Sequence, residues 1–361
     1  MVTFYNCGHG DCALIKDKFT HSDGSIEYVN LCIDLGPSTF NVPPAVQQGI
    51  DLLITHSDND HCLGNAASLI PNRIFVPAFF AEMTVILYKL VNNKNLSIQS
   101  YPSLAGKFIP VDEGHPITYS QKIQWEVFNP QKDLWKKWLP NHRITQTSKN
   151  TLDRFLRQNN IDTDINGLIK LVDKTRGFYS DDARNDNNDL ESFVYAVLQK
   201  IYDYAQMPSL DRSFKKAISF FKHYNANEYS IVFKYIDSNN TSFLFTGDAP
   251  RKVFTKNYAG KNIQSQVLKV PHHGSASGFD VRNMQKARPF SNVLNQIQPD
   301  YMVVSHGDIA GGPPNLSVIK FLSQTGRQLY LTNDITANGT TLYHKVKVPF
   351  NFPNKIKAKI L

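Results

Sequence analysis

The chain has 361 residues, of which 41% are hydrophobic and 19% charged, and these ordinary globular values exclude wholesale disorder. It contains no run of about 18 apolar residues, and its start, MVTFYNCGHGD, lacks a signal-peptide pattern. We therefore expect a cytoplasmic protein that neither spans nor binds a membrane. The net charge of +8 is uneven, because residues 251–361 contain 15 basic and 4 acidic residues, whereas residues 1–250 contain 24 basic and 27 acidic ones. A basic half is typical of proteins that bind polyanions, and it equally suits a solubilising surface with a lysine-rich tail.

The first 130 residues predict a strand-rich α/β segment. Short β-rich runs are broken by Gly, Asp-Gly and Pro, in the order VTFYNC, CALIK, YVNLCIDLG and IDLLITH. GNAASLI then has the pattern of a helix start, NRIFVPA that of a strand and AEMTVILYKLV that of a helix. HPITYSQKIQWEVFNP alternates as two strands that end at Pro130.

Residues 131–224 have a helical pattern instead. Apolar residues recur at spacings of three and four in TLDRFLRQNN, INGLIKLVDK, LESFVYAVLQKIYDYA and SFKKAISFFKHY. Strands return in residues 225–361 at YSIVFKYID, TSFLFTGD, SQVLKVPHHG, DYMVVSHG and RQLYLTND, before a basic C-terminal tail. The sequence thus predicts one domain in two halves, 1–130 and 225–361, interrupted by a helical insertion or cap at 131–224.

A cluster of histidines and aspartates directly follows the apolar run DLLI. His56, Asp58, Asp60 and His61 form the pattern H-x-D-x-D-H at a strand-to-loop junction. Such groups are costly to bury unless they are paired or bound to a cation, and imidazole and carboxylate are ligands that zinc and manganese accept. The alternative is an Asx-rich turn that caps the following helix. We favour a metal loop in which each His-Asp pair faces one ion.

Three later apolar runs end in the same residue types. FLFTGD ends in Asp248, LKVPHHG in His272 and His273, and YMVVSHG in His306. A single histidine at a strand end is more often structural than a ligand. Four apolar strands that all end in His or Asp favour one site, because ligands in α/β folds gather at strand ends.

These motifs resemble the metallo-β-lactamase superfamily, in particular the hydrolase domain of the ComEC DNA-uptake family. The matching segments are FYNCGHGDCALI, CIDLG, THSDNDHCLGN, FLFTGD, VLKVPHHGSASG and LYLTNDITANG. The resemblance covers roughly residues 1–130 and 225–345, and not the helical insertion. His9 stands where the family usually has glutamine, and AGGPP at 310–314 stands where the family often has Gly-His-Pro. The membrane channel of the uptake proteins is absent from this sequence.

The resemblance implies an α/β fold, the four-layer αββα sandwich, with two divalent metal ions, zinc or manganese, at one edge of its β layers. His56 and Asp58 would hold one ion, Asp60, His61 and His273 the other, and Asp248 would bridge them. Asp60 would also orient a metal-bridged hydroxide. His272 would face the scissile phosphate and His273 would bind the ion, unless His272 and His273 exchange these roles. His306 is a further catalytic candidate. Asp58 replaces a commoner histidine, and this additional oxygen ligand shifts the preference towards manganese.

Three functions remain open at this stage. The first is a metal-dependent phosphodiesterase or nuclease that acts on DNA or RNA. The second is a hydrolase of a small molecule, such as a lactone, thioester, phosphocholine ester or cyclic nucleotide. The third is a non-catalytic binding module, which the complete set of ligand candidates disfavours.

Two sets of neighbouring residues complete the sequence hypotheses. Asp11 and Asp34 also follow strands, and we expect them to stabilise turns or to support the metal ligands. If the substrate is a nucleic acid, basic residues near the strands that carry Asp248 and the paired histidines are expected to contact phosphates. These candidates are Arg251, Lys252, Lys269 and Lys286.

Overall fold

The computed structural model describes most of the chain, and its residues divide into two compact units. The first unit is Met1–Pro77, Val111–Gln131 and Asn227–Leu361, and the second is Ala78–Pro110 and Lys132–Ala226. The described residues are 1–43, 49–62, 71–94, 108–113, 117, 123, 125–132, 134–139, 144–175, 190–207, 213–222, 227–256, 258, 261–276, 288–307, 313–333, 335–337, 340–343 and 350–352.

A seven-stranded mixed sheet contains most of the N-terminal strands. Its strands are β1 (Val2–Phe4), β2 (Ala13–Thr20), β3 (Ile26–Ile33), β4 (Asp51–Leu53), β5 (Ile74–Pro77), β6 (Phe108–Val111) and β15 (Phe350–Phe352). Their order is β15-β1-β2-β3-β4-β5-β6. β2 and β3 form an antiparallel hairpin, and β3, β4 and β5 are parallel. β4 is buried along its whole length, as expected of a central parallel strand.

A six-stranded sheet contains the strands that return after the insertion. Its strands are β7 (Glu126–Asn129), β8 (Val232–Ile236), β9 (Ser242–Phe245), β10 (Val267–Lys269), β11 (Tyr301–Val304) and β12 (Gln328–Leu331). The order is β12-β11-β10-β9-β8-β7, in which β9 to β12 are parallel. β13 (Ile335–Ala337) and β14 (Thr340–Tyr343) form a separate hairpin. Because β9, β10 and β11 run in the same direction, the residues that follow them emerge at one edge of the sheet.

The six-stranded sheet is covered on both faces. Three helices cover one face, namely α7 (Arg251–Lys256), α8 (Arg288–Ile297) and α9 (Leu316–Ser323). They bury Phe254, Leu294 and Ile319 in one apolar cluster with the strands. The other face is aromatic, and its Phe245 stacks on Phe4 of β1 with ring centroids 5.9 Å apart. Helices, six-stranded sheet and seven-stranded sheet therefore form successive layers of the first unit.

The second unit is helical. It contains α2 (Phe80–Asn92), α3 (Gln146–Gln158), α4 (Ile165–Asp173), α5 (Leu190–Gln206) and α6 (Phe214–Phe221). Side chains cap two of these helices, because Thr145 accepts from the amide of Ser148 and Asp164 from that of Gly167. α5 buries residues on most of its circumference, so it forms the centre of this unit.

The predicted α/β fold with two β layers and a helical region is confirmed. Ala78–Pro110, which the sequence placed with the first strands, lies in the helical unit. GNAASLI, the polar segment SDDARNDNND at 180–189, whose composition predicts a loop, most of HPITYSQ and much of the basic tail lie outside the described residues. Among the helices that the structure describes, none is long and apolar enough to cross a membrane.

Candidate metal centre

The His/Asp loop lies at the end of buried strand β4. Ile54 and Thr55 continue the strand, and His56 follows with its side chain 1% exposed. The short helix α1 (Asn59–Cys62) then turns the chain back, and the amide of His61 donates to the carbonyl oxygen of Asp58 at 3.0 Å. This turn brings His56 and His61 together, with their ring centroids 4.1 Å apart. The loop therefore brings its two imidazoles close together.

Asp248 reaches the same loop through a close approach of the backbone. It follows β9 after Gly247, which has a φ of +47°. A Cβ atom at Gly247 would lie 3.0 Å from the Cβ atoms of both Thr55 and Ser230. Glycine suits this position because it adopts positive φ readily and carries no side chain. The amide of Asp248 donates to the hydroxyl of Ser230 at 3.1 Å, which fixes the carboxylate above the loop.

The paired histidines after β10 both have left-handed backbone conformations. The φ angles of His272 and His273 are 49° and 51°, an uncommon conformation for residues other than glycine. The amide of His272 donates to the carbonyl oxygen of Gly247 at 3.1 Å, which ties this turn to the Asp248 turn. As a result, both imidazoles face Asp248, at Nε2–Oδ2 distances of 3.6 Å for His272 and 3.5 Å for His273.

Three side chains, those of His61, His273 and Asp60, form one group beside Asp248. The Nε2 atoms of His61 and His273 are 3.2 Å apart, and they lie 3.4 Å and 3.5 Å from the Asp248 carboxylate oxygens. Asp60 Oδ2 lies 3.5 Å from His273 Nε2 and 4.0 Å from His61 Nε2. Zinc binds histidine nitrogen at about 2.0–2.1 Å, so adjacent ligand atoms of a tetrahedral site are about 3.3 Å apart. The separations therefore fit ligands that share one ion.

A second group of side chains approaches the Oδ2 atom of the same carboxylate, which His273 also approaches. His56 Nε2 lies 3.9 Å from Asp248 Oδ2 and 3.8 Å from Asp58 Oδ2. His272 contacts the same Oδ2 atom. The Nε2 atom of His56 and the Oδ1 atom of Asp248 are buried and have no hydrogen-bond partner within the chain. Since a buried polar atom without a partner is costly, these orphaned atoms also fit a bound cation.

The Nδ1 atoms of the two converging imidazoles have acceptors on the far side of the rings. His61 Nδ1 lies 2.8 Å from Asp34 Oδ2, and His273 Nδ1 lies 3.0 Å from the carbonyl oxygen of Ser305. Asp34 in turn accepts from the amide and the hydroxyl of Thr55, each at 2.7 Å. Each acceptor favours the tautomer with the proton on Nδ1, which leaves Nε2 free to bind a metal.

Burial and charge shift the pKa values of the site. Burial, together with the neighbouring His61, lowers the pKa of His56 to about 3, so this imidazole is neutral at pH 7. Burial also lowers the pKa values of His61 and His273, but the surrounding carboxylates, Asp248 first, outweigh it and raise both values. The same imidazoles outweigh the effect of burial on Asp248 and hold its pKa well below the usual range. The site is thus a carboxylate centre that attracts positive charge.

These observations show that the buried His/Asp group could hold a metal ion. Among the described residues, one ligand atom from each of Asp11, His61, Asp248 and His273 lies within 4.8 Å of the others. Asp58, Asp60, His56 and His272 surround this group. The sequence missed His9, whose Nε2 atom lies 3.3 Å from Asp60 Oδ2. The turn that carries His9 lies so close to the metal loop that a Cβ atom at Gly10 would collide with the carbonyl oxygen of Asp60. The glycines on both sides of His9 were the sequence signal that could have identified this turn.

Two further predictions concern residues close to the cluster. Lys269 was predicted to contact phosphate if the substrate is a nucleic acid, and its position contradicts this, because its side chain is 5% exposed and forms an ion pair with Asp11. Lys286 lies outside the described residues. Lys252 pairs with Glu228 and remains 46% exposed. His306 is buried, with hydrogen bonds that involve Thr332 and the carbonyl oxygen of Gly307, and its catalytic role stays a prediction.

Two of the structural matches to known proteins have low sequence identity. No family model matches the chain, and no curated protein sequence matches it. A CmlA β-hydroxylase mutant has 12% sequence identity and a TM-score of 0.39, and the match covers 91% of this chain and 52% of that one. A long form of RNase Z from yeast has 11% identity and a TM-score of 0.37, with 94% and 41% covered. The chain therefore spans about half or less of each of these proteins.

Proposed function

We propose that the protein is a metal-dependent hydrolase of the metallo-β-lactamase superfamily that acts as a phosphodiesterase or nuclease on DNA or RNA. The observation that carries this proposal is the position of Asp248, a buried carboxylate whose Oδ2 atom lies 3.9 Å from His56 Nε2 and whose Oδ1 atom lies 3.4 Å from His61 Nε2, so that it contacts the histidines of both His–Asp pairs. One carboxylate between two such groups is the arrangement expected of two cations a few ångströms apart. Paired divalent ions of this kind, when bound, lower the pKa of water and stabilise both oxygens of a phosphodiester displacement.

The chain supplies distinct ligands for each ion. His56 and Asp58 would hold the first ion, and Asp60, His61 and His273 would hold the second, with Asp248 between them. Because His56 is neutral at pH 7, it can bind an ion without first losing a proton. Three of these groups are carboxylates, and this oxygen content favours manganese over a purely histidine-based zinc site.

The exposed side of the cluster defines where a substrate would approach. His56, His61, Asp248 and His273 have side chains at most 3% exposed. By contrast, the side chains of His9, Asp60 and His272 are 31%, 21% and 19% exposed. A scissile group would therefore meet His272 and His9, and both imidazoles can donate hydrogen bonds to phosphate oxygens. In this position Asp60 would both bind the second ion and orient the attacking water.

Charge supports a polyanionic substrate over a small neutral one. The segment 251–361 contributes the paired histidines and contains 15 basic and 4 acidic residues. A field of this sign attracts nucleic acid to the segment that carries His272 and His273 and that directly follows Asp248. Small esters, lactones or thioesters gain little from such a field, so they are the second candidates.

The proposal is tested by metal add-back on nucleic-acid substrates. The protein is treated with a chelator, dialysed, and incubated with linear and circular DNA and with RNA after addition of manganese, magnesium or zinc. We expect cleavage that depends on manganese or zinc and that is lost in Asp248→Asn. Hydrolysis of small esters with no cleavage of any nucleic acid would show that the substrate is a small molecule. Absence of both activities from a metal-loaded protein would contradict the enzyme assignment.

A further inference from the structure

A buried lysine lies directly behind the candidate metal centre. Lys269 is the last residue of β10, and its side chain is 5% exposed. Its ammonium group forms an ion pair with Asp11 and lies 3.4 Å from the carbonyl oxygen of Gly247. The hydroxyl of Thr246 donates to the Lys269 carbonyl oxygen at 2.7 Å. A lysine is rarely buried to this extent unless it is paired, so the ion pair with Asp11 explains its position.

Asp11 connects this lysine to the two converging imidazoles. Its Oδ1 atom accepts from the hydroxyl of Ser305 and lies 3.4 Å from His273 Nδ1. Its Oδ2 atom lies 3.9 Å from His61 Nδ1. Both contacts are on the Nδ1 side of the rings, whereas the Nε2 atoms meet each other and Asp248. Asp11 therefore lies behind the imidazoles and not among the atoms that face the ions.

The space around the pair is small. A cavity of about 10 Å³ is lined by Asp11, Asp34 and Lys269, together with Thr55 and Ser305. This is room for about one water molecule. The two carboxylates that support the imidazoles thus border the same cavity as one buried cation, and among the lining residues that the structure describes there is no second lysine or arginine.

We propose that Lys269 is a positioning residue, an internal counter-ion that keeps the Asp11 carboxylate behind His61 and His273 and out of the metal ligand set. Without this cation, Asp11 would be an uncompensated carboxylate beside the metal site. It would then move towards an ion or pull the imidazoles by their Nδ1 atoms. The lysine acts through Asp11 and not on the substrate. This inference rests on the proposed metal centre, and it assigns a role to a residue on the side of that centre away from solvent.

Metal binding and metal geometry test the inference without any assay of turnover. Lys269→Met, Asp11→Asn and the double variant are loaded with Co²⁺, and affinity is measured by competition with a chromogenic chelator. Loss of residues that support metal ligands typically costs 10–100-fold in affinity. We expect that loss in Lys269→Met, together with a changed visible Co²⁺ spectrum as Asp11 disturbs the ligand set. In the double variant both charges are gone, and we expect the spectrum to return to that of the wild type.

Matched controls come from another ion pair of the same unit. Arg73 and Asp51 form an ion pair at an Nη2–Oδ2 distance of 2.6 Å at β4 and β5. Arg73→Met and Asp51→Asn remove the same types of charge, and we expect neither to change Co²⁺ affinity or spectrum. Far-UV circular dichroism checks folding of every variant. If Lys269→Met does not fold, the double variant carries the test, since it contains no unpaired charge.

Distinct outcomes separate this inference from the proposed function. A wild-type spectrum and affinity in folded Lys269→Met would overturn the positioning role. A folded double variant whose spectrum remains changed would overturn the coupling to Asp11. Unchanged metal binding combined with weaker binding of inorganic phosphate in Lys269→Met would assign the lysine to the substrate instead. If the wild-type protein binds no divalent metal at all, the proposed function fails, whatever the variants do.

Discussion

His61 Nε2 and His273 Nε2 lie 3.2 Å apart, although 212 residues separate the two histidines along the chain. Each ring has an acceptor for its Nδ1 proton, Asp34 for His61 and the Ser305 carbonyl for His273. Two Nε2 lone pairs at this distance repel each other unless a proton or a cation lies between them. The pair is therefore built around a positive charge, and Asp248 beside it supplies the balancing negative charge.

Metal binding should release protons. In the metal-free protein, carboxylates raise the pKa values of His61 and His273 above the ordinary value despite burial. Because the two Nε2 atoms also lie 3.2 Å apart, we expect the metal-free pair to hold a proton that an incoming ion must displace. Affinity should fall at least about tenfold per pH unit as the pH is lowered below the raised pKa values. Calorimetry of Zn²⁺ or Mn²⁺ binding in buffers with different ionisation enthalpies measures this release, and a release of zero protons would contradict the prediction.

Removal of the Asp248 carboxylate should weaken the binding of both ions. Asp248→Asn keeps the shape of the side chain but removes the charge between the two ligand groups. We expect metal content to fall from about two ions per chain to less than one, and hydrolysis to fall to the metal-free rate. Elemental analysis of the purified variants gives the stoichiometry. Asp237→Asn is a control, because Asp237 binds backbone amides in the β8–β9 turn, and it should keep both ions.

Asp34 and Thr55, which support His61, should affect metal affinity less than the ligands themselves do. Thr55→Val removes the hydroxyl that donates to Asp34 and leaves the backbone bond from the Thr55 amide in place. Asp34→Asn weakens the hold on His61 directly. We expect metal affinity to decrease roughly 10–100-fold in Asp34→Asn, and by a smaller factor in Thr55→Val. Equal effects of the two variants in a chelator competition would show that Asp34 has no separate role.

The ligand candidates were predictable because each one follows an apolar run. DLLI, FLFTGD and LKVPHHG identify buried strands by composition alone, and parallel strands bring their ends to one edge. That argument needs no knowledge of which strands are neighbours. It places Asp248 and His273 at one edge of the six-stranded sheet, whereas His56 follows β4 of the seven-stranded sheet, so its position beside Asp248 depends on the packing of the two sheets.

The role of Lys269 could not be predicted in the same way. Next to a basic segment it resembles a surface lysine, and only the tertiary contact with Asp11, from the other end of the chain, makes it internal. The same limit applies to α2, whose periodicity predicts a helix but not the unit against which it packs. Local pattern specifies an element, whereas its partners depend on contacts that are distant in sequence.

Asp17 should stabilise the first unit in a pH-dependent way. It joins the two sheets, because its carboxylate accepts from the Ser238 amide at 2.9 Å, the Ser238 hydroxyl at 2.6 Å and the Tyr235 hydroxyl. Burial raises the pKa of Asp17, but these hydrogen bonds outweigh it and lower the pKa. Because the pKa of Asp17 is lower in the folded state, its ionised carboxylate stabilises the fold at pH values above the unfolded-state pKa of about 3.9. This stabilisation is lost as the pH falls through the folded-state pKa.

Urea unfolding of Asp17→Asn measures this contribution. At pH 7 we expect a free energy of unfolding about 1 kcal/mol lower than that of the wild type. The difference should shrink as the pH falls below about 4. Asp23→Asn, whose side chain bonds Ser25 in its own turn, is the matched control and should have a smaller effect. A difference that stays constant from pH 7 to pH 3 would mean that the charge of Asp17 is not what stabilises the sheets.

Catalytic efficiency should depend steeply on salt if the substrate is a nucleic acid. Each phosphate neutralised by a basic side chain releases counterions, and the logarithm of affinity falls with the logarithm of salt concentration by about 0.9 per contact on duplex DNA. Arg251 and Lys252 begin α7, three and four residues after Asp248, so they are the described candidates for such contacts. Replacing both with Gln should flatten the salt slope by roughly 1–2 units and leave the metal content unchanged.

A matched pair of adjacent basic residues makes this prediction specific. Lys136 and Lys137 are exposed in a short helical turn of the second unit, and their replacement with Gln removes the same charge. We expect that double variant to keep the wild-type salt slope, because its lysines belong to the helical unit and not to the chain segment that carries the ligands. Equal flattening by both pairs would indicate a diffuse effect of net charge. A flat salt dependence in the wild type, together with hydrolysis of a small ester, would instead favour the small-molecule substrate.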